Sequence, residues 1–364
     1  MTRTAYRYVA ATYLAYAAAV FFAVLAIFLI ADYGDRVKAY SDHPWRDVAE
    51  LYWNKLLVTS LQLGPAALLL AASAAVSTLR KRGELTAFRA LAFPLRTVYL
   101  PVGICALVAA VGLVAFDEYV VTGASAKVDE ITVSRFNSWG DWNRWFRPHQ
   151  WFRRGNRVFY LRAGDTARGF DDVTVLTLTP DFRLGDRLDA RRMEYVDGTR
   201  WRLSGVAHRR FDAEGAALET SASGVYELEA PANAFAIRAG RPEQMSVAEL
   251  VEQISARRGA GLAVEPLVLS LHSRFAYPLT GVAAALLAVG IALRPGRRGH
   301  LTVALVEGLT IAVVLWGSMV VGKALALGQH LPASAAAWAP FAVLVIAAGA
   351  LWLRREGRLG WSGI

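Results

Sequence analysis

A short charged segment between two long apolar runs carries the residue types suited to the chemistry of docking. It covers residues 80–96 and reads RKRGELTAFRALAFPLR, with five basic residues and one acid, Glu84. Glu84, Leu85 and Phe88 fall at helical spacings, and Leu85, Phe88 and Leu91 lie close to one apolar stripe. This pattern predicts either an interfacial loop whose arginines fix membrane topology or a short helix that docks onto a soluble partner.

Residues for other kinds of chemistry are missing or scattered. The single cysteine, Cys105, lies in an apolar run and has no intrachain disulfide partner. The six histidines show neither metal-site spacing nor a catalytic arrangement. The sequence contains no phosphate-binding Gly-x-x-x-x-Gly-Lys-Ser/Thr loop and no nucleophile elbow. We therefore expect no catalysis, no cofactor and no metal, and any ATP that drives this protein must bind another chain.

The overall composition is that of a membrane protein. The chain has 364 residues, of which 55% are hydrophobic, and a mean hydropathy of +0.32, which is too apolar for an ordinary soluble protein. The net charge of +10 could indicate nucleic-acid binding. Much of the basic charge lies beside apolar runs, however, which fits membrane topology better. We predict no nucleic-acid partner.

Six apolar runs are predicted to cross a bilayer as helices. A cleaved signal peptide is the alternative for the first run, but the run is longer than a typical signal sequence and lacks a convincing cleavage site. We therefore expect a retained first span. The predicted runs are residues 12–30, 56–76, 97–116, 277–293, 301–321 and 335–353.

The basic clusters agree with one topology. With six spans, the N-terminal arginines, the segment 80–96, the loop 294–300 and the tail 354–358 all lie on one side of the membrane. Positive charge beside spans marks the cytoplasmic side. Both termini are therefore expected in the cytoplasm, and the long polar region between the third and fourth spans on the opposite side.

The period of the hydrophobic pattern changes in that polar region, residues 121–265. β-branched and aromatic segments, including 157–161 and 173–178, are bounded by Gly and Asp. Asp197-Gly198 is typical of a tight hairpin turn. We predict an inserted all-β domain of the β-sandwich or jelly-roll type, flanked by membrane segments at 1–120 and 266–364.

Two features of this domain carry further expectations. Its tryptophans, including Trp151 and Trp201, are expected to be core or packing residues rather than residues that stack on a ligand. Ser246 and Glu249 form a capping box, in which each side chain satisfies a free amide at a helix start. The helix that follows is expected to stop near Gly259.

Several motifs resemble one membrane-protein family. Gly83–Ala90, followed by an arginine and a proline-started apolar helix, resembles the cytoplasmic coupling helix of the LptF/LptG family, the permease subunits of the lipopolysaccharide-export ABC transporter. Further landmarks extend the resemblance over essentially the whole chain. They lie at residues 151–159, 195–203, 273–279 and 328–340.

Local features refine the resemblance. Arg-Tyr at 7–8 and Asp-Arg at 35–36 favour the LptG side of the family. The family usually carries a glycine near Ala92, whereas this chain has Ala92-Phe93-Pro94. Pro94 removes a backbone donor and disfavours helix at Phe93. We expect the coupling helix to end here by a different device.

The resemblance implies a bacterial inner-membrane transporter. Two six-span permeases would enclose a cavity that lipopolysaccharide enters sideways from the outer leaflet. The implied partners are a second LptF/LptG-type subunit, an LptB-type cytoplasmic ATPase dimer, and LptC- and LptA-type periplasmic jelly-roll proteins. By resemblance the acid Glu84 helps to engage the ATPase. The expected coupling residues are Arg82, Glu84, Leu85, Phe88 and Arg89.

Lipopolysaccharide would need an apolar wall for its acyl chains and cations for its phosphates. The first and fifth spans, which the resemblance places at the lateral gate, supply Phe28 and Trp316. Such residues can equally face lipid or neighbouring helices. The candidate cations are Arg36, Lys38 and Lys323, which can instead snorkel or pair with nearby acids.

Two other functional classes stay open on the sequence. One is a membrane-anchored scaffold or sensor whose β domain binds a partner, which would need no ATPase. The other is a membrane enzyme that modifies lipids, which would need clustered catalytic side chains at span ends.

Overall fold

The computed structural model describes residues 2–136, 150–165, 169–212, 215–228, 241–259, 263–294 and 300–358. The chain divides into two compact units. One combines Met1–Asn137 with Leu269–Ile364, and the other is Ser138–Val268. The second unit thus starts 17 residues after the predicted boundary at 121 and ends 3 residues after the predicted boundary at 265.

Among the described residues, six helical segments are long and apolar enough to cross a membrane, as predicted. A π-helical turn, Asp117–Val121, joins the helix Arg96–Phe116 to the helix Thr122–Ser134, so that these two form one span. The helices are α1 (Thr2–Tyr40), α2 (Trp45–Lys81), α3 (Glu84–Ala90), α4 (Arg96–Phe116), α5 (Thr122–Ser134), α6 (Val247–Gly259), α7 (Glu265–Ala292), α8 (Leu301–Leu327) and α9 (Ala333–Arg358).

The first two helices extend well past their apolar runs. The sequence predicts a mixed-charge connection over residues 32–55, but α1 continues to Tyr40 and α2 begins at Trp45. The charges that suggest a loop are paired between helices, since Lys55 Nζ lies 2.6 Å from an Asp32 carboxylate oxygen. The 39 residues of α1 span about 58 Å, nearly twice a hydrocarbon core of about 30 Å.

Helices α2 and α7 form the centre of the helical unit. In each of them 61% of the apolar window is buried, against 6% in α1 and 17% in α8. Helix α2 contacts both α1 and α8. Small residues bring the helices close together, because a Cβ at Gly281 of α7 would lie 2.8 Å from Pro65 Cα of α2. Pro65 is accommodated inside a continuous α2.

The second unit contains an antiparallel sheet, which confirms the inserted β domain. Its order is β1-β2-β3-β4-β5-β6, so every strand pairs with the next along the chain. The described strands thus form one sheet rather than the two of a sandwich. They are β1 (Gln150–Arg154), β2 (Arg157–Asp165), β3 (Gly169–Leu178), β4 (Leu184–Asp197), β5 (Arg200–Asp212) and β6 (Gly215–Glu227).

One face of the sheet builds the core of this unit. Trp201 is fully buried beside Met193 and Leu203, which confirms its predicted role as a core residue. Trp151 lies outside that core and packs on a neighbouring ring instead. It is 55% exposed and pairs across β1 and β2 with Tyr160, with ring centroids 4.7 Å apart. Since side chains alternate along a strand, this pair occupies the face opposite Phe159, which is buried.

Two local predictions are confirmed in the same unit. Strands β4 and β5 form a hairpin in which Asp197 pairs with Arg200 and Gly198 takes a φ of +50°. At the start of α6, the Ser246 N–H donates to Glu249 Oε2 at 2.8 Å, and the Glu249 N–H donates back to Ser246 Oγ at 3.2 Å. The capping box is therefore complete.

Candidate functional site

The charged segment forms the short helix α3, with a specific backbone device at each end. Gly83 precedes the helix with a φ of +76°, a conformation that glycine adopts without cost. At the other end Ala92 has a φ of +55°. The Phe93 N–H donates to the Phe88 carbonyl at 2.9 Å, the pattern of a Schellman cap. The different device is thus a left-handed alanine at a position where the family usually has glycine.

The predicted coupling residues divide between two sides of α3. Leu85 is 5% exposed and belongs to the core of the helical unit. Phe88 packs against that core and lies edge-on to Phe93, with centroids 5.7 Å apart. Arg82 and Arg89 are exposed. The apolar pair therefore anchors the helix, while the arginines remain accessible to a partner.

Glu84 connects α3 to the first helix. The Tyr8 hydroxyl donates a hydrogen bond of 2.8 Å to Glu84 Oε1. Arg82 Nη1 lies 4.0 Å from the same oxygen. In the sequence, Arg-Tyr at 7–8 is a family feature only, and nothing there indicates a contact for Tyr8. No pattern within one segment could find this pair, since its members are 76 positions apart.

Two more polar contacts fasten the same end of α2. A hydrogen bond of 2.8 Å joins the hydroxyls of Tyr16 on α1 and Thr78 on α2. Arg80 Nη1 donates to the carbonyl of Arg294, just after α7, at 2.8 Å. A cation there suits the negative end of the α7 dipole. The basic end of the unit is thus one connected block, in which hydrogen bonds join α3 to α1, α1 to α2, and α2 to a residue just after α7.

At the opposite end of α1, Arg36 has the local partner that the sequence offered as its alternative. Arg36 Nε lies 3.4 Å from Asp32, although 57% of its side chain stays exposed. Lys38 and Lys323 are exposed and form no ion pair within the described part of the chain. Of the three predicted cations, Lys38 and Lys323 are therefore the two without an ion pair to an acid in the described part of the chain.

At the same end of the unit, Arg135, just beyond α5, forms ion pairs with α2. Its guanidinium lies 2.7 Å from Glu50 and 2.6 Å from Asp47, both on α2. The hydrogen bonds to Glu50 and Asp47 raise the pKa of Arg135 above its ordinary value. Arg135 therefore keeps its charge at any physiological pH.

The apolar candidates lie on exposed helix faces. Phe28 on α1 is 45% exposed and Trp316 on α8 is 67% exposed. Both helices contact α2, so the two side chains stand on helices that flank the same central one. The structure shows no contact between them among the residues that it describes.

Comparison with known proteins decides the family. The family described as lipopolysaccharide export system permease LptF/LptG matches residues 7–355. The chain belongs to the LptF/LptG family. A search of curated proteins gave no match. The family description covers both subunits, so the LptG-like character stays a prediction.

Membership makes this LptF/LptG chain a permease component of lipopolysaccharide export. It is a multi-pass membrane protein by its six candidate spans, and the family is one of transport subunits rather than enzymes. The coupling-helix resemblance therefore rests on a family match that includes both α3 and the hydrogen-bonded Tyr8.

This LptF/LptG chain also contains a buried charge cluster that the sequence analysis missed. Arg274 on α7 is 7% exposed. Its Nη1 donates to Glu118 at 2.8 Å, and its Nε lies 3.6 Å from Asp117. Both acids belong to the π-helical turn after α4. The available signal was charge at the edges of two predicted spans, because buried ionisable residues in membranes are rare. Asp117 and Glu118 directly follow the third predicted run, and Arg274 lies three residues before the fourth.

A second missed charge is Glu307, within α8. It lines a cavity of about 10 Å³ between α2, α7 and α8, together with Ser73 and Ser77. That volume suits one water molecule. Polar side chains therefore meet at the contact between the permease's central helix and its exposed fifth span.

Proposed function

We propose that this chain is one of two permease subunits of an ATP-driven exporter that extracts lipopolysaccharide from the bacterial inner membrane for transfer to the outer membrane. The observation that carries this is the family match over residues 7–355. Six candidate spans with a sheet unit inserted after the third support it. Since the sequence has no nucleotide-binding motif, the ATPase is a separate LptB-type dimer.

The short helix α3 links the ATPase to the gate. Arg82 and Arg89 contact the ATPase, while Leu85 and Phe88 hold α3 to the helical core. Closure of the ATPase dimer displaces α3, and the Tyr8–Glu84 hydrogen bond passes that displacement to α1. Glu84 thus acts mainly through its contact with α1.

The substrate contacts lie on α1 and α8. Their faces, with Phe28 and Trp316, provide an apolar wall for acyl chains. Lys38 and Lys323, with Arg36, hold the phosphates at the rim by charge-assisted hydrogen bonds. The sibling permease provides the other half of the cavity.

The sheet unit receives the lipid on the periplasmic side. In the described order β1 and β6 end the sheet, and a sheet edge can pair with a strand of another protein. LptC- and LptA-type jelly-roll proteins continue the path. The basic end of the helical unit, with α3 and both termini, lies in the cytoplasm.

Accessibility labelling tests this topology. Thr86→Cys on α3 and Ala222→Cys on β6 place thiols at exposed positions in a Cys105→Ala background. An impermeant maleimide should label position 222 in intact spheroplasts, and position 86 only after the membrane is permeabilised. Labelling of positions 86 and 222 from the same side of the membrane would contradict this topology and the transporter function that depends on it.

Crosslinking tests the substrate. Photocrosslinkers at Arg36 and Lys323 should capture lipopolysaccharide in the complex with the sibling and ATPase, and ATP turnover before irradiation should lower the yield of adduct. Position 346 on α9 is an exposed control outside the proposed route. Capture of only protein or phospholipid at 36 and 323 contradicts the assignment. Isolation of a functional chain that never retains an ATPase favours the scaffold alternative.

A further inference from the structure

An apolar groove opens between α4, α7 and α9, away from the α1 and α8 faces proposed for transport. Its volume is about 570 Å³, within the range of about 300–1,000 Å³ typical of small-molecule sites. The α4 wall repeats every three or four residues, so it is one continuous helix face. That wall consists of Arg96, Tyr99, Leu100, Gly103, Ile104 and Leu107.

The depth of the groove matches one leaflet of a membrane. Arg96 and Leu107 are eleven residues apart, which corresponds to about 16 Å along a helix. The hydrocarbon core is about 30 Å thick, so each leaflet is about 15 Å. A transmembrane helix of another protein would need the full thickness. A groove of half that depth fits an acyl chain that enters from one side.

The polar end of the groove is cationic and aromatic. Arg96 is exposed and forms no hydrogen bond or ion pair with another residue that the structure describes. Tyr99 lies less than one turn further along α4. Trp352, near the basic end of α9, lines the same groove. Amphipathic aromatic rings with a nearby cation are typical of the headgroup level of a bilayer.

We infer that this groove binds an anionic glycerophospholipid, with one acyl chain along α4 and the phosphate at Arg96. The charge complementarity selects an anionic headgroup, and each basic residue near a membrane surface favours one. The lipid lies in the cytoplasmic leaflet, an assignment that rests on the topology proposed above. The bound lipid fills the space between three helices beside α3, and so stabilises the block that the ATPase displaces.

The experiment uses the full-length chain with its sibling and ATPase in nanodiscs. They are doped with a phosphatidylglycerol that carries a photoreactive diazirine on one acyl chain, or with the matching phosphatidylcholine. Mass spectrometry should find adducts on peptides of α4, α7 and α9, with phosphatidylglycerol preferred. Arg96→Gln should lower that preference about fivefold, the effect expected from one basic residue. Arg96→Lys should restore most of it.

Gly349→Phe blocks the groove, since Gly349 lines it and a Cβ there has open space. It should remove adducts from both lipids. The matched control is Gly112→Phe, at an exposed and equally open position of α4 that does not line the groove. This control should leave labelling unchanged.

Three results would overturn the inference. They are equal labelling by both lipids, preference that survives Arg96→Gln, and adducts that form only on the sibling chain or elsewhere on this chain. If Gly349→Phe fails to fold, the Arg96→Gln and Arg96→Lys pair still decides. The experiment measures lipid capture and not transport. A complex that transports lipopolysaccharide but captures no phospholipid would contradict only the lipid site. A complex that captures phospholipid but transports no lipopolysaccharide would contradict only the proposed function.

Discussion

The hydroxyl of Tyr8 and the carboxylate of Glu84 meet at 2.8 Å and join α3 to α1. A charged residue on a docking helix is usually assigned to the partner surface. Here the same carboxylate has an intramolecular partner on a span proposed to form the gate. Function at this residue therefore separates into two measurable parts, retention of the ATPase and transmission of its movement.

Tyr8→Phe should uncouple ATP hydrolysis from lipopolysaccharide release while the ATPase stays bound. The lost hydrogen bond to a charged, partly exposed group is worth about 1 kcal/mol, and Glu84→Gln should give a non-additive double mutant with it. Release per ATP hydrolysed is the measurement. Tyr6→Phe, which removes a hydroxyl from the neighbouring turn, should leave it unchanged. Additive effects of Tyr8→Phe and Glu84→Gln would speak against the link.

Ala92→Gly should stabilise the end of α3. The left-handed conformation of Ala92, with a φ of +55°, costs an L-residue about 1 kcal/mol that glycine avoids. Hydrogen exchange at α3 amides in the purified complex should slow by about fivefold. Ala90→Gly, inside the helix, should accelerate exchange. Faster exchange in Ala92→Gly would show that the alanine is not strained.

Arg274→Met should destabilise the helical unit by about 3 kcal/mol, because it leaves the carboxylates of Asp117 and Glu118 buried without their cation. Chemical denaturation in mild detergent gives the measurement. Adding Glu118→Gln should recover part of the loss, since contacting residues couple. Arg36→Met removes an exposed ion pair and should cost less than about 1 kcal/mol.

At the scale of elements, hydropathy was enough to find the spans, and turn and cap residues were enough to find the β4–β5 hairpin and the start of α6. These signals lie within one segment of chain. The extension of α1 to Tyr40 could not be read in the same way, because Asp32 meets Lys55 only after two helices have packed. The exposure of Trp151 depended on strand register, which its own segment does not set.

The candidate site also combines features that one segment of the chain sets with features that arise only from packing. The family resemblance predicts α3 as a short helix, with Arg82 and Arg89 among its coupling residues. It could not show that Tyr8 reaches Glu84, or that Leu85 is buried in the core, since both facts arise from the packing of α1 and α2 around α3. Glu307 carried a local signal, charge within an apolar run, that a search for catalytic clusters passes over. Arg274 lies just before the fourth predicted run, and its partner Glu118 is 156 positions away, so no single segment could show that pair.

Helix packing at the centre of the unit tolerates no side chain at Gly281. A Cβ there would lie 2.8 Å from Pro65 Cα and must push α2 and α7 apart. We expect Gly281→Ala to destabilise the purified complex by about 1–3 kcal/mol in chemical denaturation, the usual cost of overpacking. Gly349→Ala, where a Cβ meets open space, should be nearly neutral. Equal stabilities for the two variants would show that α2 and α7 separate freely.

At the scale of the whole molecule, the least buried spans, α1 and α8, are those proposed to face the sibling and the substrate. A membrane-soluble maleimide should label Phe28→Cys and Trp316→Cys, in a Cys105→Ala background, several-fold less when the sibling is co-expressed. Ile346→Cys on α9, which is 70% exposed, should show no protection. Equal labelling with and without the sibling would place the partner elsewhere.

The unbroken course of α1 makes it a lever arm. Between Tyr8, where it is tethered to α3, and Tyr40 at its far end, it runs 32 residues as a single helix, or about 48 Å. Because a helix without proline or a π-bulge curves only gently, a tilt of about 10° at one end would move the other by about 8 Å. A stroke of atomic size in the cytoplasm would then become an aperture wide enough for a sugar ring on the opposite side of the bilayer.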